Sequence, residues 1–308
     1  MNSYRRVFHL ISTLARRGRA FLLGMLANLN VPVWRSKTLH PKVLQRVRRG
    51  SEVITEPRAI DVPMVGDPTL PLVEVHLNGR GPFRFLLDLG ANVVSIREDV
   101  AEQIGLATVQ ALRTRSVVRA DTLEIGATTF NDVHIVREPV LDVDGVIGFN
   151  VFRDGLVTLD YPAQRFQWHP GALPPVDGRE IVSYELRERM PYVQVNIASR
   201  EVWANLDTGA RAELIVPAKL ESTIPIQGRV QEGKRLWNQA EGNIKTRTAA
   251  LAGYVVIGAH VAAVEPTVTF ASFLEDEFLI GSGSLVDVRL TLDAENKRLL
   301  IQGSSRGT

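Results

Sequence analysis

Two short segments of the sequence place an aspartate where a carboxylate could do chemistry. Asp88-Leu89-Gly90-Ala91 follows the largely apolar run 83–87, and Asp207-Thr208-Gly209-Ala210 follows the run 202–206. A carboxylate in a glycine turn directly after such a run lies beside the core, where burying it alone is costly. Two carboxylates face to face would explain the placement, because a pair about 3 Å apart shares one proton. One member could then activate a water while the other polarises a carbonyl group.

The composition excludes several other kinds of site. The 308 residues include no cysteine, which rules out disulfides, thiol nucleophiles and thiolate metal sites. The six histidines show no His-x-x-x-His spacing, so we expect no metal centre and no cofactor. Glycoside hydrolases also use two carboxylates, but aromatic residues make up only 6% of the chain and offer little for stacking on sugars.

Basic residues are concentrated at the start of the chain. Residues 1–50 contain 11 of the 36 lysines and arginines and no acid, which leaves 25 basic against 34 acidic residues in the remainder. The apolar stretch 20–29 is short for a transmembrane helix and precedes no clear cleavage site. The alternatives are an export signal, a helix on an anionic membrane surface, or a disordered basic tail. We expect an exported, periplasmic or membrane-associated protein rather than a cytoplasmic one. We expect no nucleic-acid partner, because no aromatic pattern accompanies the charge.

From about residue 59 the sequence is typical of β-strands. The segment 72–77 alternates between apolar and polar residues, turns at Asn78-Gly79 and returns as 83–87, which predicts a hairpin. A short helix is predicted over 98–104, ended by Gly105. Residues 170–179 are rich in proline and glycine and predict a linker, after which the strand pattern begins again.

The second half repeats features of the first half in the same order. An apolar-apolar-glycine sequence ends at Gly148 and again at Gly281, and each glycine precedes by twelve residues the aspartate of a Thr-Leu-Asp motif. Several aligned features predict a duplicated domain, and pseudo-twofold symmetry would place the same loop of each lobe at their interface. The predicted organisation is a basic leader (1–58), an N-terminal lobe (59–170), a linker (171–179) and a C-terminal lobe (180–303).

The two aspartate segments resemble the Asp-Thr-Gly-Ala loop of retropepsin-like aspartic peptidases, and Gly148 and Gly281 look like that family's second landmark. The resemblance spans residues 60–303. It implies an all-β single chain of two pseudo-twofold-related β-barrel lobes with short helices and a catalytic cleft between the lobes. It also implies that Asp88 and Asp207 are the catalytic pair, and that the substrate is a peptide or protein. The implied supports of the two active-site loops are Gly90, Ala91, Thr208, Gly209 and Ala210.

The sequence departs from the family pattern in two places. Leu89 stands where the family usually has threonine or serine, whose hydroxyl, by resemblance, bonds to the opposite loop. Thr208 can make its half of this brace and Leu89 cannot, so Leu89→Thr is expected to preserve or raise activity and stability. The longer segment 231–243 of the second half predicts one working flap, with Trp237 either contacting the cleft or lying in an ordinary surface loop.

The sequence therefore predicts an aspartic endopeptidase that activates a water between Asp88 and Asp207, with best activity at mildly acid to neutral pH. Which aspartate acts as the base stays open at this point. The alternative is a non-catalytic peptide-binding or scaffolding protein that retains the fold, with Leu89 marking a relaxed site.

Overall fold

The computed structural model describes residues 53–54, 59–111, 115–152, 154–234, 236–238 and 242–303. The fold is all-β with short helices, as predicted. The predicted basic leader, residues 1–58, lies outside the described residues except for Val53–Ile54. In the part of the chain that the structure describes, no helix has the length and apolar character needed to cross a membrane.

The first half contains eleven described strands and one α-helix. The strands are β1 (Val53–Ile54), β2 (Ile60–Pro63), β3 (Leu72–Leu77), β4 (Arg80–Asp88), β5 (Val94–Arg97), β6 (Ala107–Ala111), β7 (Ser116–Ile125), β8 (Thr128–Glu138), β9 (Gly145–Gly148), β10 (Leu156–Asp160) and β11 (Arg165–His169). The helix α1 (Glu98–Gln103) follows β5, where the sequence predicts a helix, and a 3₁₀ turn follows β9 at Phe149–Val151.

The second half contains fourteen described strands. They are β12 (Ile181–Arg187), β13 (Met190–Ile197), β14 (Arg200–Asp207), β15 (Leu214–Pro217), β16 (Ile226–Glu232), β17 (Leu236–Asn238), β18 (Gly242–Ile244), β19 (Arg247–Leu251), β20 (Tyr254–Ile257), β21 (His260–Val264), β22 (Thr267–Ala271), β23 (Phe278–Gly281), β24 (Val288–Asp293) and β25 (Arg298–Gly303). Two 3₁₀ turns lie at Ala218–Leu220 and Ser282–Ser284.

Six strands of the first half close into a barrel, in the order β8–β5–β9–β4–β3–β7, with β7 pairing back to β8. The predicted hairpin is β3–β4, and its turn residues Asn78 and Gly79 have φ angles of 50° and 71°, the left-handed values that such a tight turn uses. The alternation in β3 has a direct cause, since Val73 and Val75 are fully buried while Glu74 between them is exposed.

The second half has the same main pairings but is more interrupted. β14 runs parallel to β23 and antiparallel to β13, as β4 does to β9 and β3. Where the first half has the long strand β7, the second half has two shorter consecutive strands, β19 and β20. In the same way, β21 and β22 stand at the sequence position of the long strand β8. An additional hairpin, β17–β18, lies between β16 and β19. This hairpin falls in the segment that makes the second half longer than the first.

One six-stranded antiparallel sheet joins the two halves, in the order β12–β25–β24–β10–β11–β2. Its centre is the pairing of β10 with β24, where Thr158 lies opposite Thr291 and their hydroxyl oxygens are 2.9 Å apart. The two threonines belong to the two Thr-Leu-Asp motifs. Because both halves contribute strands to this sheet, the two aspartate loops are held in a defined relation to each other.

Candidate active site

Each aspartate ends a strand that runs parallel to a strand ending in glycine. Asp88 at the end of β4 lies opposite Gly148 of β9, and Asp207 at the end of β14 lies opposite Gly281 of β23. A Cβ atom on Gly148 would lie 2.6 Å from the carbonyl oxygen of Val93, and one on Gly281 would overlap a backbone carbonyl in the same way. The chain following each aspartate thus folds back over the glycine, which explains why glycine occupies both positions.

The two aspartate loops face each other across the boundary between the lobes. A Cβ atom on Gly90 would lie 2.8 Å from Cγ of Asp207, and one on Gly209 would lie 2.5 Å from Oδ2 of Asp88. Each loop glycine therefore lies against the carboxyl group of the opposite loop. Both aspartates are buried, with 1% of each residue exposed. The structure thus brings together the two carboxyl groups that the sequence singles out.

The two carboxyl groups have unequal surroundings. Oδ1 of Asp88 accepts hydrogen bonds from the backbone N–H groups of Gly90 at 2.8 Å and Gly209 at 3.2 Å, which stabilise a negative charge. Oδ1 of Asp207 accepts a hydrogen bond from the backbone N–H of Ala210 at 3.1 Å, and the N–H groups of Ala210 and Gly209 both act to lower its pKa. Its buried Oδ2 has no hydrogen-bond partner among the described residues. Burial, and then the negative charge of Asp88, raise the pKa of Asp207 well above its ordinary value. A raised pKa favours the protonated, neutral form of Asp207.

Thr208 connects the two loops from the second lobe. Its hydroxyl donates to the carbonyl oxygen of Leu87 at 2.8 Å and accepts from the backbone N–H of Leu89 at 2.9 Å. Leu89 offers no hydroxyl in return; its side chain is 3% exposed and packs in the main hydrophobic core. The brace is thus one-sided, and the position that lacks a hydroxyl contributes apolar burial instead.

Two further contacts between the lobes lie beside the aspartate loops, each made by the residue four positions after an aspartate. Asn92 donates through Nδ2 to the carbonyl oxygen of Glu188 at 3.0 Å. Arg211 forms an ion pair with Asp67 and donates to Thr69 Oγ1 at 3.2 Å. Sequence reasoning did not identify these residues, because their partners are more than 90 residues away along the chain. Only their equal offset from the aspartates could have drawn attention to them.

Tyr161 is a third residue that sequence reasoning missed. It follows the first Thr-Leu-Asp motif, is 1% exposed, and its hydroxyl has no hydrogen-bond partner among the described residues. Burial, and then the negative charges of Asp88 and Asp207, raise the pKa of the Tyr161 phenol. The phenol therefore stays neutral.

The flap prediction concerns a segment that the structure describes only in part. Trp237 lies in β17, opposite Asn243 of β18, but its side chain lies outside the described residues, so its contact with the cleft stays a prediction. The first lobe also has a hairpin at the corresponding place, formed by β6 and β7, and its tip at 112–114 lies outside the described residues.

The described residues contain no group of three or more histidine, aspartate or glutamate side chains arranged to hold a metal ion.

Comparison with known proteins agrees with this description. A family model described as "Aspartyl protease" matches residues 73–151, which include Asp88 and Gly148. Comparison with curated proteins gives no significant match. A crystal structure of a retropepsin-like aspartic protease from Rickettsia conorii is similar over 36% of this chain and 90% of that chain, with 14% sequence identity and a TM-score of 0.30. The family match at 73–151 makes this part of the chain similar to aspartyl proteases and, with the all-β fold, supports a peptidase-like function.

Proposed function

We propose that this protein is an aspartic endopeptidase that cleaves peptide or protein substrates with a water activated between Asp88 and Asp207. One observation carries the proposal: the two aspartate loops are packed against each other. The glycine of each loop lies against the carboxyl group of the other loop. Two buried carboxyl groups that face each other cannot both ionise readily, so one stays protonated while the other is charged. Acid-base catalysis on a peptide bond uses this singly protonated pair.

We infer a role for each carboxyl group from its surroundings. Asp88, whose charge is stabilised by two N–H donors, acts as the base. It takes a proton from the water while the water oxygen bonds to the carbonyl carbon of the peptide. Asp207, whose pKa is raised, gives its proton to the carbonyl oxygen. A tetrahedral intermediate forms. It collapses when the proton held by Asp88 passes to the amine nitrogen and a hydroxyl group of the intermediate returns its proton to Asp207. The carbon–nitrogen bond then breaks, and the carbonyl group of the acid product forms.

Access to the pair requires movement, because only 1% of each aspartate is exposed. In this proposal the β17–β18 hairpin is the flap that opens for the substrate and then closes over it. Closure excludes water from the reacting centre and strengthens the electrostatic interactions there.

The second candidate is a non-catalytic protein that binds or scaffolds peptides on the same fold. The buried Leu89 favours it, because half of the brace between the loops is replaced by hydrophobic packing. The two functions make different predictions for the same site, since a binding protein needs the cleft but does not need a water held between two carboxyl groups.

Titration with a statine-type transition-state mimic, combined with a diverse peptide library, separates the two functions. The endopeptidase proposal expects tight binding of the mimic and cleavage of some peptides, and it expects Asp88→Asn and Asp207→Asn to remove the cleavage with the fold intact. Binding of library peptides without any cleavage would establish the scaffold function instead. Full cleavage by either asparagine variant would overturn the assigned pair.

A further inference from the structure

Tyr161 lies where the two halves of the chain meet, directly after β10 of the six-stranded sheet. Its backbone N–H donates to the carbonyl oxygen of Val288, the first residue of β24, at 3.3 Å. From Val288 a chain of backbone hydrogen bonds runs through the turn 282–285 to the carbonyl oxygen of Ala210 in the second aspartate loop. The backbone at Tyr161 is therefore tied to the loop that carries Asp207.

The side chain of Tyr161 is buried in the main hydrophobic core, with 1% of the residue exposed. The same core contains chain neighbours of both aspartates, namely Leu87 and Leu89 of the first loop and Leu206 of the second. In a core of low dielectric constant, a polar group acts on a nearby charge more strongly than it does in water. The position of the phenol therefore gives its hydroxyl group electrostatic influence on the aspartate loops.

Both carboxyl groups of the pair act on this phenol. After burial, the negative charges of Asp88 and Asp207 are the causes that raise the pKa of Tyr161. An electrostatic interaction is mutual, so the phenol acts on the two carboxyl groups in return. Because the phenol stays neutral, it acts through the dipole of its O–H bond.

The Tyr161 hydroxyl has no hydrogen-bond partner among the described residues. The hydrogen of a hydroxyl group turns to suit its surroundings, and here the negative charge of the pair attracts it. Phenylalanine would fill the same space without the cost of burying an unpaired hydroxyl group, so core packing does not explain the tyrosine. The residue after the second Thr-Leu-Asp motif is Ala294, which carries no hydroxyl group.

We propose that Tyr161 is a positioning residue for the peptidase reaction, because the dipole of its buried hydroxyl stabilises the negative charge shared by Asp88 and Asp207. The consequence for catalysis rests on the proposed function, whereas the electrostatic contact can be measured without a substrate. Removal of the hydroxyl makes each ionisation of the pair less favourable, so both apparent pKa values of the pair should rise.

The test compares the natural protein with Tyr161→Phe by NMR titration of the aspartate carboxyl carbons. We expect the apparent pKa values of the pair to rise by about 0.5 to 1 in the variant. The free energy of unfolding should stay the same or rise, because the lost hydroxyl has no partner among the described residues. In peptide hydrolysis, both limbs of the pH profile of kcat/KM should move to higher pH by the same amount.

Tyr184→Phe is the matched control. Tyr184 is also buried, with 2% of the residue exposed, but its hydroxyl donates to the carbonyl oxygen of Asp293 at 3.0 Å. The charge that raises its pKa, after burial, is that of Asp293. Tyr184→Phe should therefore lower the free energy of unfolding and leave the titration of the aspartate pair unchanged.

A measurement on the natural protein needs no variant to fold. The NMR signal of the Tyr161 ring carbon that bears the hydroxyl should change at the pH values where the pair ionises, and the corresponding signal of Tyr184 should not. The absence of this change at Tyr161 would overturn the proposal even if Tyr161→Phe did not fold.

The outcomes separate this proposal from the proposed function. Cleavage by the natural protein with the same titration of the pair in Tyr161→Phe would overturn the role of Tyr161 and leave the peptidase function standing. A shift of equal size in Tyr184→Phe, or an equal loss of stability in the two variants, would also overturn it. A shifted titration in a protein that cleaves no peptide would support the electrostatic contact and overturn the peptidase function.

Discussion

The hydroxyl of Thr208 lies 2.9 Å from the backbone nitrogen of Leu89, on the opposite aspartate loop. The same hydroxyl donates to the carbonyl oxygen of Leu87, so one side chain of the second lobe satisfies two buried backbone groups of the first. The equivalent position in the first loop is a leucine that packs into the core. Thr208 therefore supplies both side-chain hydrogen bonds of this brace, next to the backbone hydrogen bond from Gly209 to Asp88.

Thr208→Val keeps the shape of the side chain but should still destabilise the protein strongly. Removing the hydroxyl leaves the Leu89 N–H and the Leu87 carbonyl unpaired and buried, at a cost of about 1–3 kcal/mol each. We expect the free energy of unfolding in urea to fall by about 2–4 kcal/mol. Thr208→Ser keeps the hydroxyl and loses one methyl group, so it should cost only about 1 kcal/mol. Equal effects of the two substitutions would contradict a role for the hydroxyl.

Leu89→Thr separates the two contributions of the leucine. The sequence alone suggested that this change would preserve or raise both activity and stability. The burial of Leu89 in the core changes the expectation for stability, because about 1–2 kcal/mol of apolar burial is lost and a new hydrogen bond returns only about 1 kcal/mol. We expect unchanged or higher peptidase activity and slightly lower thermal stability. Lost activity in a folded variant would show that the leucine itself positions Asp88.

Asp88→Asn and Asp207→Asn should each reduce kcat by at least on the order of 10³-fold, because each removes a proton acceptor or donor from the pair. Peptide hydrolysis is the measurement, and circular dichroism checks that the fold is intact. Asp67→Asn is the matched control, since Asp67 lies beside the site in the Arg211 ion pair but takes no part in the proposed proton transfers. A comparable loss in this control would show that the effect comes from the arrangement of the lobes.

The raised pKa of Asp207 predicts a stability that falls with pH. A carboxyl group whose pKa is higher in the folded state favours folding fully below its unfolded value of 3.8, and this contribution is lost as pH rises through the folded value. Asp207→Asn should therefore be more stable than the natural protein near neutral pH and similar to it at about pH 3. Urea unfolding at several pH values measures the difference.

Asp177→Asn should show the opposite pH dependence and serves as the control. The backbone N–H groups of Arg179 and Ile181 lower the pKa of Asp177, so its contribution to stability is present above 3.8 and lost in acid. If both substitutions shifted stability in the same direction with pH, the assignment of the proton to Asp207 would fail.

The raised pKa of Glu138 predicts a second pH dependence of stability, at a site away from the aspartate pair. Burial raises its pKa to about 7, although Arg115 Nε lies 3.0 Å from its carboxylate. Its contribution to stability is full below 4.5 and is lost as pH rises through about 7. We expect Glu138→Gln to remove a decline of about 3 kcal/mol between acid and mildly alkaline pH.

Much of the fold follows from local patterns. The alternation in 72–77 and the Asn-Gly turn predict the β3–β4 hairpin, because a strand with one buried face needs an apolar residue at every second position. The helix after β5 is likewise predicted, with Gly105 beyond its end adopting a φ of 68°. The flap contact of Trp237 stays a prediction, and so does the duplication of the two halves.

The contacts between the lobes could not be predicted in the same way. Asn92 bonds to a backbone carbonyl and Arg211 to an acidic turn in the other lobe, and no spacing rule links either pair along the chain. The inequality of the two carboxyl groups was also hidden, since it depends on which backbone N–H groups point at each oxygen.

The sequence by itself determined which two carboxyl groups the fold brings together. Burying an aspartate after an apolar strand is so costly that two matched instances indicated a pair, and the glycines at 148 and 281 marked where each loop folds back. Only the tertiary structure decided how the two loops are joined. It gave the side-chain hydrogen bonds of the brace to Thr208 and left the two carboxyl groups with unequal surroundings. Both features depend on contacts between residues distant in sequence, whose geometry is set by the shared six-stranded sheet and not by any local preference of the chain.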